Sequence, residues 1–409
     1  MDRTGDASPT AHSPAFEILG VALRLGLTSF GGPIAHLGYF QQEYVIRRRW
    51  LDAESFADLV ALCQFLPGPA SSQVGIAIGM RRGGLAGAIA AWLGFTLPSA
   101  VALVVFAYAV RGTSFIPAQL LHGLIVAAVA VVAQAVWTMA QRLAPDRPRG
   151  TIAVVAAMVA LLWPVAAAQP LIIAAAGLVG WRLLPRDDAP ARDSQAKGVR
   201  LVAWGRRPAI LSLAAFFALL IVLPLLRQAV HAQSIALFDS FYRVGALVFG
   251  GGHVVLPLLQ REVVPAGWVS QSQFLAGYGA AQAVPGPLFT FAAYLGAVMR
   301  RPPNGWAGAA LATVAIFLPS FLLVAGIMPF WDTLRRRGDI QSALRGINAA
   351  VVGLLLAALY QPVWTGAIHS ATDVVLALLA FTLLVLWKRP PWLAVLATAA
   401  LSWLLSLHG

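Results

Sequence analysis

Long apolar stretches separated by short polar or Pro-rich turns dominate the chain. They run at 16–40, 56–80, 85–110, 115–140, 151–168 and 169–184, then at 208–227, 233–257, 272–299, 305–329, 342–363, 371–387 and 391–407. A helix needs roughly 17 to 25 apolar residues to cross a bilayer, so the pattern predicts an all-α polytopic membrane protein with about 13 transmembrane spans. The last two stretches of each half are short, and each such pair reads equally as a re-entrant hairpin. The polar intervals divide the chain into a cytoplasmic tail (1–15), a first transporter repeat (16–184), a cytoplasmic linker (185–207), a connector transmembrane helix (208–227) and a second transporter repeat (233–409).

The two repeats are legible residue by residue. Arg24-Leu-Gly-Leu-Thr-Ser-Phe-Gly-Gly lies over Arg243-Val-Gly-Ala-Leu-Val-Phe-Gly-Gly, and the same register pairs Gln41 with Gln260 and Glu43 with Glu262. One residue of slippage later, Gln64-Phe-Leu-Pro-Gly-Pro meets Gln282-Ala-Val-Pro-Gly-Pro. Further on, Gly84-Leu-Ala-Gly-Ala meets Gly305-Trp-Ala-Gly-Ala and Leu97-Pro-Ser meets Leu318-Pro-Ser. The connector at 208–227 has no counterpart, and one unpaired crossing between two homologous halves leaves them in inverted topology. With the N-terminus cytoplasmic and the C-terminus periplasmic, most loop Lys and Arg fall inside, as the positive-inside rule requires. Arg47 to Arg49 and Arg300 to Arg301 break that rule.

Composition agrees with a lipid environment and narrows the chemistry. Of 409 residues, 59% are hydrophobic and 11% charged, where a soluble domain carries about 25% charged residues. The net charge of +13 does not imply nucleic acid, because the arginines punctuate apolar spans instead of lining one polar face. One cysteine, Cys63, excludes a disulfide framework and reads as a small buried apolar residue. No secretory leader is recognised at the N-terminus, and multi-pass insertion in a bacterial inner membrane is expected. There is no phosphate loop, no zinc-protease motif and no nucleophile elbow, so transport would be secondary, with no cofactor and no metal. Trp50, Trp181, Trp268 and Trp387 sit at span ends, where an aromatic belt is expected.

What remains are doubled, helix-breaking motifs inside apolar spans. Gly31, Gly32, Gly250 and Gly251, with Pro67-Gly68-Pro69 and Pro285-Gly286-Pro287, predict broken helices. Broken backbone survives in a membrane only where protein or a watery cavity satisfies it, and paired breaks in two repeats point to a substrate site near the midplane. The exposed N–H groups of a half-helix suit an anion. The plainer reading is that these residues merely permit kinks and close helix crossings. Arg24 and Arg243 lie within apolar runs, where a charge costs about 2.5 to 3.5 kcal/mol, and a guanidinium fork matches an oxyanion. Snorkelling or internal pairing competes with that role, and Asp239 stands at helical spacing from Arg243. Glu43, Glu262 and Asp239 are candidates for proton coupling, although Arg47 and Arg261 beside the glutamates also suit surface pairs. Gln64 and Gln282 can donate to an oxyanion or cap nearby backbone, and His36 and His253 read more readily as structural.

At these same residues the chain resembles the chromate ion transporter family. Phe30-Gly-Gly-Pro-Ile-Ala-His, Gln64-Phe-Leu-Pro-Gly-Pro, Phe249-Gly-Gly-Gly-His-Val-Val-Leu-Pro-Leu-Leu and Pro285-Gly-Pro-Leu-Phe-Thr-Phe-Ala-Ala-Tyr-Leu-Gly look like its signatures, over roughly 16–140 and 233–363. The resemblance implies proton-driven export of chromate and chromate resistance. Sulfate, a tetrahedral dianion of similar size, is a close competitor. An anion channel would share the broken helices without needing a proton-carrying carboxylate, and a membrane-embedded enzyme or scaffold is a third class. The expected partners are therefore chromate or sulfate, protons and the bilayer, with a homodimer left open.

Overall fold

The computed structural model describes residues 14–30, 32–111, 117–163, 168–185, 205–249, 254–331 and 338–407, and all regular structure among them is helical. In the first half α1 (Pro14–Thr28) is followed by α2 (Gly32–Phe40) and a π-helical continuation, Gln41–Arg47. Next come α3 (Ala53–Phe65), α4 (Ala70–Arg111), α5 (Ala118–Leu143), α6 (Arg147–Leu162) and α7 (Ala168–Leu183). The connector α8 (Arg206–Ala229) leads to α9 (Gln233–Leu247), α10 (Val255–Val263) and α11 (Gln271–Ala283). A 3-10 turn at Leu288–Thr290 opens α12 (Phe291–Val298), and α13 (Gly305–Ile327), α14 (Gly338–Ala358), α15 (Ala371–Val385) and α16 (Pro391–Ser406) complete the chain.

Helix α4 is two helices joined at Gly83–Gly84, where the backbone leaves the helical region. With that division every element of the first half has a partner in the second, and α8 stands apart. Local chemistry repeats too. Asp52 caps α3 by accepting from Ser55 N at 2.8 Å, and at the matched position Ser270 caps α11 through a reciprocal box with Gln273. Asp146 and Ser370 cap α6 and α15 in the same way.

Five helices among the described residues are long and apolar enough to cross a bilayer: Ala70–Arg111, Gln119–Leu143, Arg206–Ala229, Gly305–Phe330 and Gly338–Ala367. The stretches at 16–40, 56–80, 233–257 and 272–299 are not continuous spans. Each is two helices meeting at an interruption, because the Gly- and Pro-bearing motifs end the hydrogen-bond ladder. Helices α6, α7, α15 and α16 have only 15 or 16 residues, about 24 Å at most, short of a hydrocarbon core about 30 Å thick. The tail at 1–15 and the linker at 185–207 lie almost wholly outside the described residues. Side chains such as Leu211 and Ile221 on α8 are left more than 60% uncovered, as a lipid-facing helix requires. Cys63 is free and fully buried. Trp268, expected at an interface, is instead buried beneath Arg227.

The halves interlock. α1 packs on the second arm of α4, as α9 packs on α13, with Gly26 against the Phe95 carbonyl and Gly245 against that of Ile316. The terminal pairs are exchanged: α15 and α16 pack on α5 of the first half, while α6 and α7 pack on α14 of the second. Gly123 lies against Ala399, and Gly346 against Ala176 and Gly180. Small residues at these crossings let backbones approach closely where lipid supplies no hydrophobic drive.

Candidate anion site at the crossed breaks

Each Pro-Gly-Pro loop of one half docks on the break of the other. α3 ends at Leu66 and α11 near Val284, both in extended backbone ahead of a proline. The glycines that follow, Gly68 and Gly286, hold φ of +121° and +96°. Gly68 N donates to the Val248 carbonyl at 2.6 Å, and Gly286 N donates to the Ser29 carbonyl at 2.9 Å. Ser29 and Val248 are equivalent positions, each just before Phe-Gly-Gly. The two Leu-Pro-Ser motifs complete the contact, since a Cβ on Gly68 would lie 2.8 Å from Ser320 Oγ and one on Gly286 would lie 2.8 Å from Ser99 Oγ. Gln73 fastens the first loop, its Nε2 donating to the Pro67 carbonyl at 2.6 Å and reaching Ser320 Oγ at 3.4 Å. Pro67, Gly68, Pro69, Pro285, Gly286 and Pro287 are thus brought together with both breaks. Gly32 opens α2, whereas Gly31, Gly250, Gly251 and His253 lie outside the described residues. Helices α2 and α4 begin beside this crossing, and the first turn of a helix carries N–H groups without intrahelical partners and a positive dipole end.

The charged residues do not sit symmetrically. Arg24 is exposed on α1 and has no ion pair among the described residues. Its equivalent Arg243 is held by Asp239 in a two-point contact, Nε to Oδ1 and Nη2 to Oδ2, each 3.0 Å, and by Glu262 Oε2 at 3.2 Å. Arg227, from the connector, adds contacts to Asp239 at 3.2 Å and Glu262 at 3.7 Å, and Ser240 Oγ donates to Glu262 at 2.6 Å. Two arginines therefore face two carboxylates, with Asp239 only 1% exposed. In the first half Glu43 is bound by Arg48 at 2.8 Å and Arg47 at 3.3 Å, and Glu17 bridges Arg48 and Arg82. Partial burial pushes the Glu43 carboxyl upward, but the two arginines prevail and hold it below its ordinary value. Gln64 is exposed, while Gln282 is half-buried on α11 with its side-chain amide beside Tyr278.

Comparison with known proteins places this architecture. The chromate transporter family matches residues 16–181 and 235–403, which leaves out the linker and α8. The chain belongs to the chromate transporter family. Its relatives include a chromate transport protein of Pseudomonas aeruginosa, 30% identical over 364 residues, covering 87% of this chain and 82% of that protein. A chromate transport protein of Cupriavidus metallidurans is 28% identical over 93% of this chain and 90% of its own length. An uncharacterized transporter of Bacillus subtilis, YwrA, is 31% identical over 31% of this chain and 71% of its own length. No solved structure matches the chain.

This transporter carries features that the repeat alignment did not single out. Arg227 and Ser240 belong to the acid–arginine cluster. The charge at the end of the 208–227 stretch was the signal for Arg227, but nothing in the alignment pointed it at Asp239. A polar cavity of about 440 Å³ opens between α6, α10, α11 and the π-helical continuation of α14, lined by Gln260, Arg261, Gln271, Gln361 and Thr365. Its described lining holds a guanidinium and three amides and no acid, a set suited to an oxyanion. Ser29, Ser71, Ser72 and Gln73 surround the crossing, and their only sequence signal was polarity beside a break.

Proposed function

We propose that this transporter exports chromate across the cytoplasmic membrane by secondary active transport driven by the proton gradient, and so confers chromate resistance. The observation that carries the proposal is the reciprocal docking of Gly68 on Val248 and Gly286 on Ser29, which joins all four interruptions at one place. Interruptions at equivalent positions of two repeats are how a secondary transporter builds a substrate site from backbone inside a membrane. The relatives named chromate transport proteins supply the substrate. In this reading the halves are inverted, with the N-terminus cytoplasmic and the C-terminus periplasmic, and Arg24 and Arg243 supply positive charge from opposite sides of the crossing. Glu43, Glu262 and Asp239 are the proton-coupling candidates. A proton on Asp239 or Glu262 removes a charge that Arg243 and Arg227 neutralise, so proton load and anion charge meet at one cluster.

Flux of labelled chromate into proteoliposomes, with and without a pH gradient and with competing sulfate, tests the proposal. Chromate flux that follows the gradient is expected. Flux indifferent to the gradient means a channel, and full competition by sulfate means a general oxyanion carrier.

A further inference from the structure

The duplicated site is not duplicated in its side chains. At the first-half positions Ser29, His36, Ser71, Ser72 and Gln73, the second half carries Val248, Val255, Phe289, Thr290 and Phe291. Phe289 and Phe291 are buried and packed against aromatic neighbours, Phe291 on Phe274 at 5.1 Å and Phe289 on Phe317 at 5.8 Å between ring centroids. The hydroxyl that survives there, on Thr290, is used internally, donating to the Pro287 carbonyl at 2.7 Å. In the first half the equivalent hydroxyl of Ser72 is buried with no partner, as is that of Ser29.

His36 joins the two helix N-termini. It stands one turn into α2, beside the Ser29 backbone, and its Nδ1 lies 3.3 Å from Ser71 Oγ in the first turn of α4. Its Nε2 is buried without a partner, and in the tautomer in which Ser71 donates to Nδ1 that nitrogen carries the ring hydrogen. Buried polar atoms are almost always satisfied, so Ser29 Oγ, Ser72 Oγ and His36 Nε2, unused around one pair of helix starts beside the equally unpartnered acceptor Gln73 Oε1, call for a hydrogen-bonding ligand. The carbonyl of Ser29 is already taken by Gly286.

We infer that the oxyanion is held in the first half alone, by the uncharged donors Ser29, Ser72 and His36 together with the N-termini of α2 and α4, while the second half's copy is a packed aromatic plug. Residues Ser29, Ser72 and His36 are then substrate-contacting groups that set specificity. Neutral donors suit a carrier, because a site must bind a dianion tightly enough to admit it and loosely enough to release it. Arg24, without an ion pair among the described residues and five residues before Ser29, about 7.5 Å along α1, supplies attraction from outside the cradle, whereas the charge of Arg243 is offset by Asp239 and Glu262 until one of them takes up a proton.

This inference rests on the chromate-transport reading, and the test separates the two. Chromate binding and proteoliposome flux are measured for the wild type, for S29A/S72A and for the second-half variant T290V, each with its melting temperature in detergent. Loss of a hydrogen bond to a charged ligand corresponds to about a tenfold loss of affinity or more per donor. S29A/S72A is expected to lose at least that factor while melting at the same temperature or higher, since it removes two unsatisfied buried groups. T290V is expected to keep wild-type affinity. Unchanged chromate affinity in S29A/S72A, or an equal loss in T290V, would overturn the inference. A wild type that neither binds nor moves chromate would overturn the transport reading beneath it instead.

Discussion

The first half of this transporter keeps polar side chains at its break, and the second half carries phenylalanine and valine at the same positions, with one threonine, Thr290, bonded internally. The backbone does the same thing in both: a helix stops before Phe-Gly-Gly, and a Pro-Gly-Pro glycine from the other half donates to the last carbonyl. The charges diverge as well, Arg24 having no ion pair among the described residues and Arg243 being shared between two carboxylates. Duplication therefore preserved what a broken helix needs to survive in lipid, namely a donor for each orphaned carbonyl, and left side chains free to specialise.

The largest test concerns orientation. If the halves are inverted, reporters fused after Gly150 and near Gln195 read cytoplasm and one at Gly409 reads periplasm. Termini on the same side would leave two repeats in parallel orientation. Next in size are the crossing glycines. Replacing Gly68 or Gly286 with Ala places a Cβ in left-handed backbone, at about 1–2 kcal/mol, and against a serine hydroxyl, at about 1–3 kcal/mol more. Both variants should lose most chromate flux and melt several degrees lower, and a harmless Gly286→Ala would show that only one crossing matters.

The arginine pair sharpens the comparison further. Arg243→Ala strips a bidentate partner from buried Asp239 and should destabilise the protein by about 1–3 kcal/mol, the range reduced because Arg243 itself is partly exposed. Changing Asp239 to Ala as well should restore most of that stability, and full transport in the double variant would remove Arg243 from the ligands. Arg24→Ala should change stability by less than about 0.5 kcal/mol, so any loss of flux there reports on the anion. Arg261→Gln removes the one guanidinium among the described residues lining the polar cavity and should raise the KM for chromate a few-fold, with a lower melting temperature from loss of its bond to the Ala160 carbonyl. An unchanged KM would exclude that cavity from the path.

The smallest effect is on pH. Because its arginines hold the Glu43 carboxyl below the usual value near 4.3, the pairing stabilises the fold above that pH and is lost as pH falls through the lower, folded value. Its size is that of a surface pair, under about 1 kcal/mol. Glu43→Gln should remove that contribution at neutral pH, at a cost of under about 1 kcal/mol, and flatten the acid side of the stability profile, leaving the two proteins alike below the folded value. A steep loss near pH 6 in the wild type that Glu43→Gln abolishes would mean that Glu43 titrates far above this expectation.

Much of the fold was legible because its signals are local. Apolar runs, N-caps at Asp52 and Ser270, and Pro-Gly-Pro stops act over a few residues and repeat, so the helices and their breaks could be read in order. The salt-bridge partner Asp239 was legible for the same reason, lying one helical turn from Arg243. Arg227 was not, since its approach to Asp239 and Glu262 depends on how the connector packs against α9. The polar set at Ser29, Ser71 and Ser72 was equally hidden, because a serine beside a break looks alike whether its hydroxyl is satisfied or spare.

By itself, then, the sequence determined an all-helical membrane protein of two related halves, the positions of its broken helices and its family, since each follows from residue type and short-range spacing. Tertiary structure decided which break meets which loop, that the terminal helix pairs are exchanged between halves, and that one copy of the site keeps spare donors while the other is packed with aromatic rings. Those outcomes depend on contacts between residues far apart in the chain, such as Gly68 with Val248 and Gly286 with Ser29, whose pairing is set by the packing of whole helices and not by any local preference.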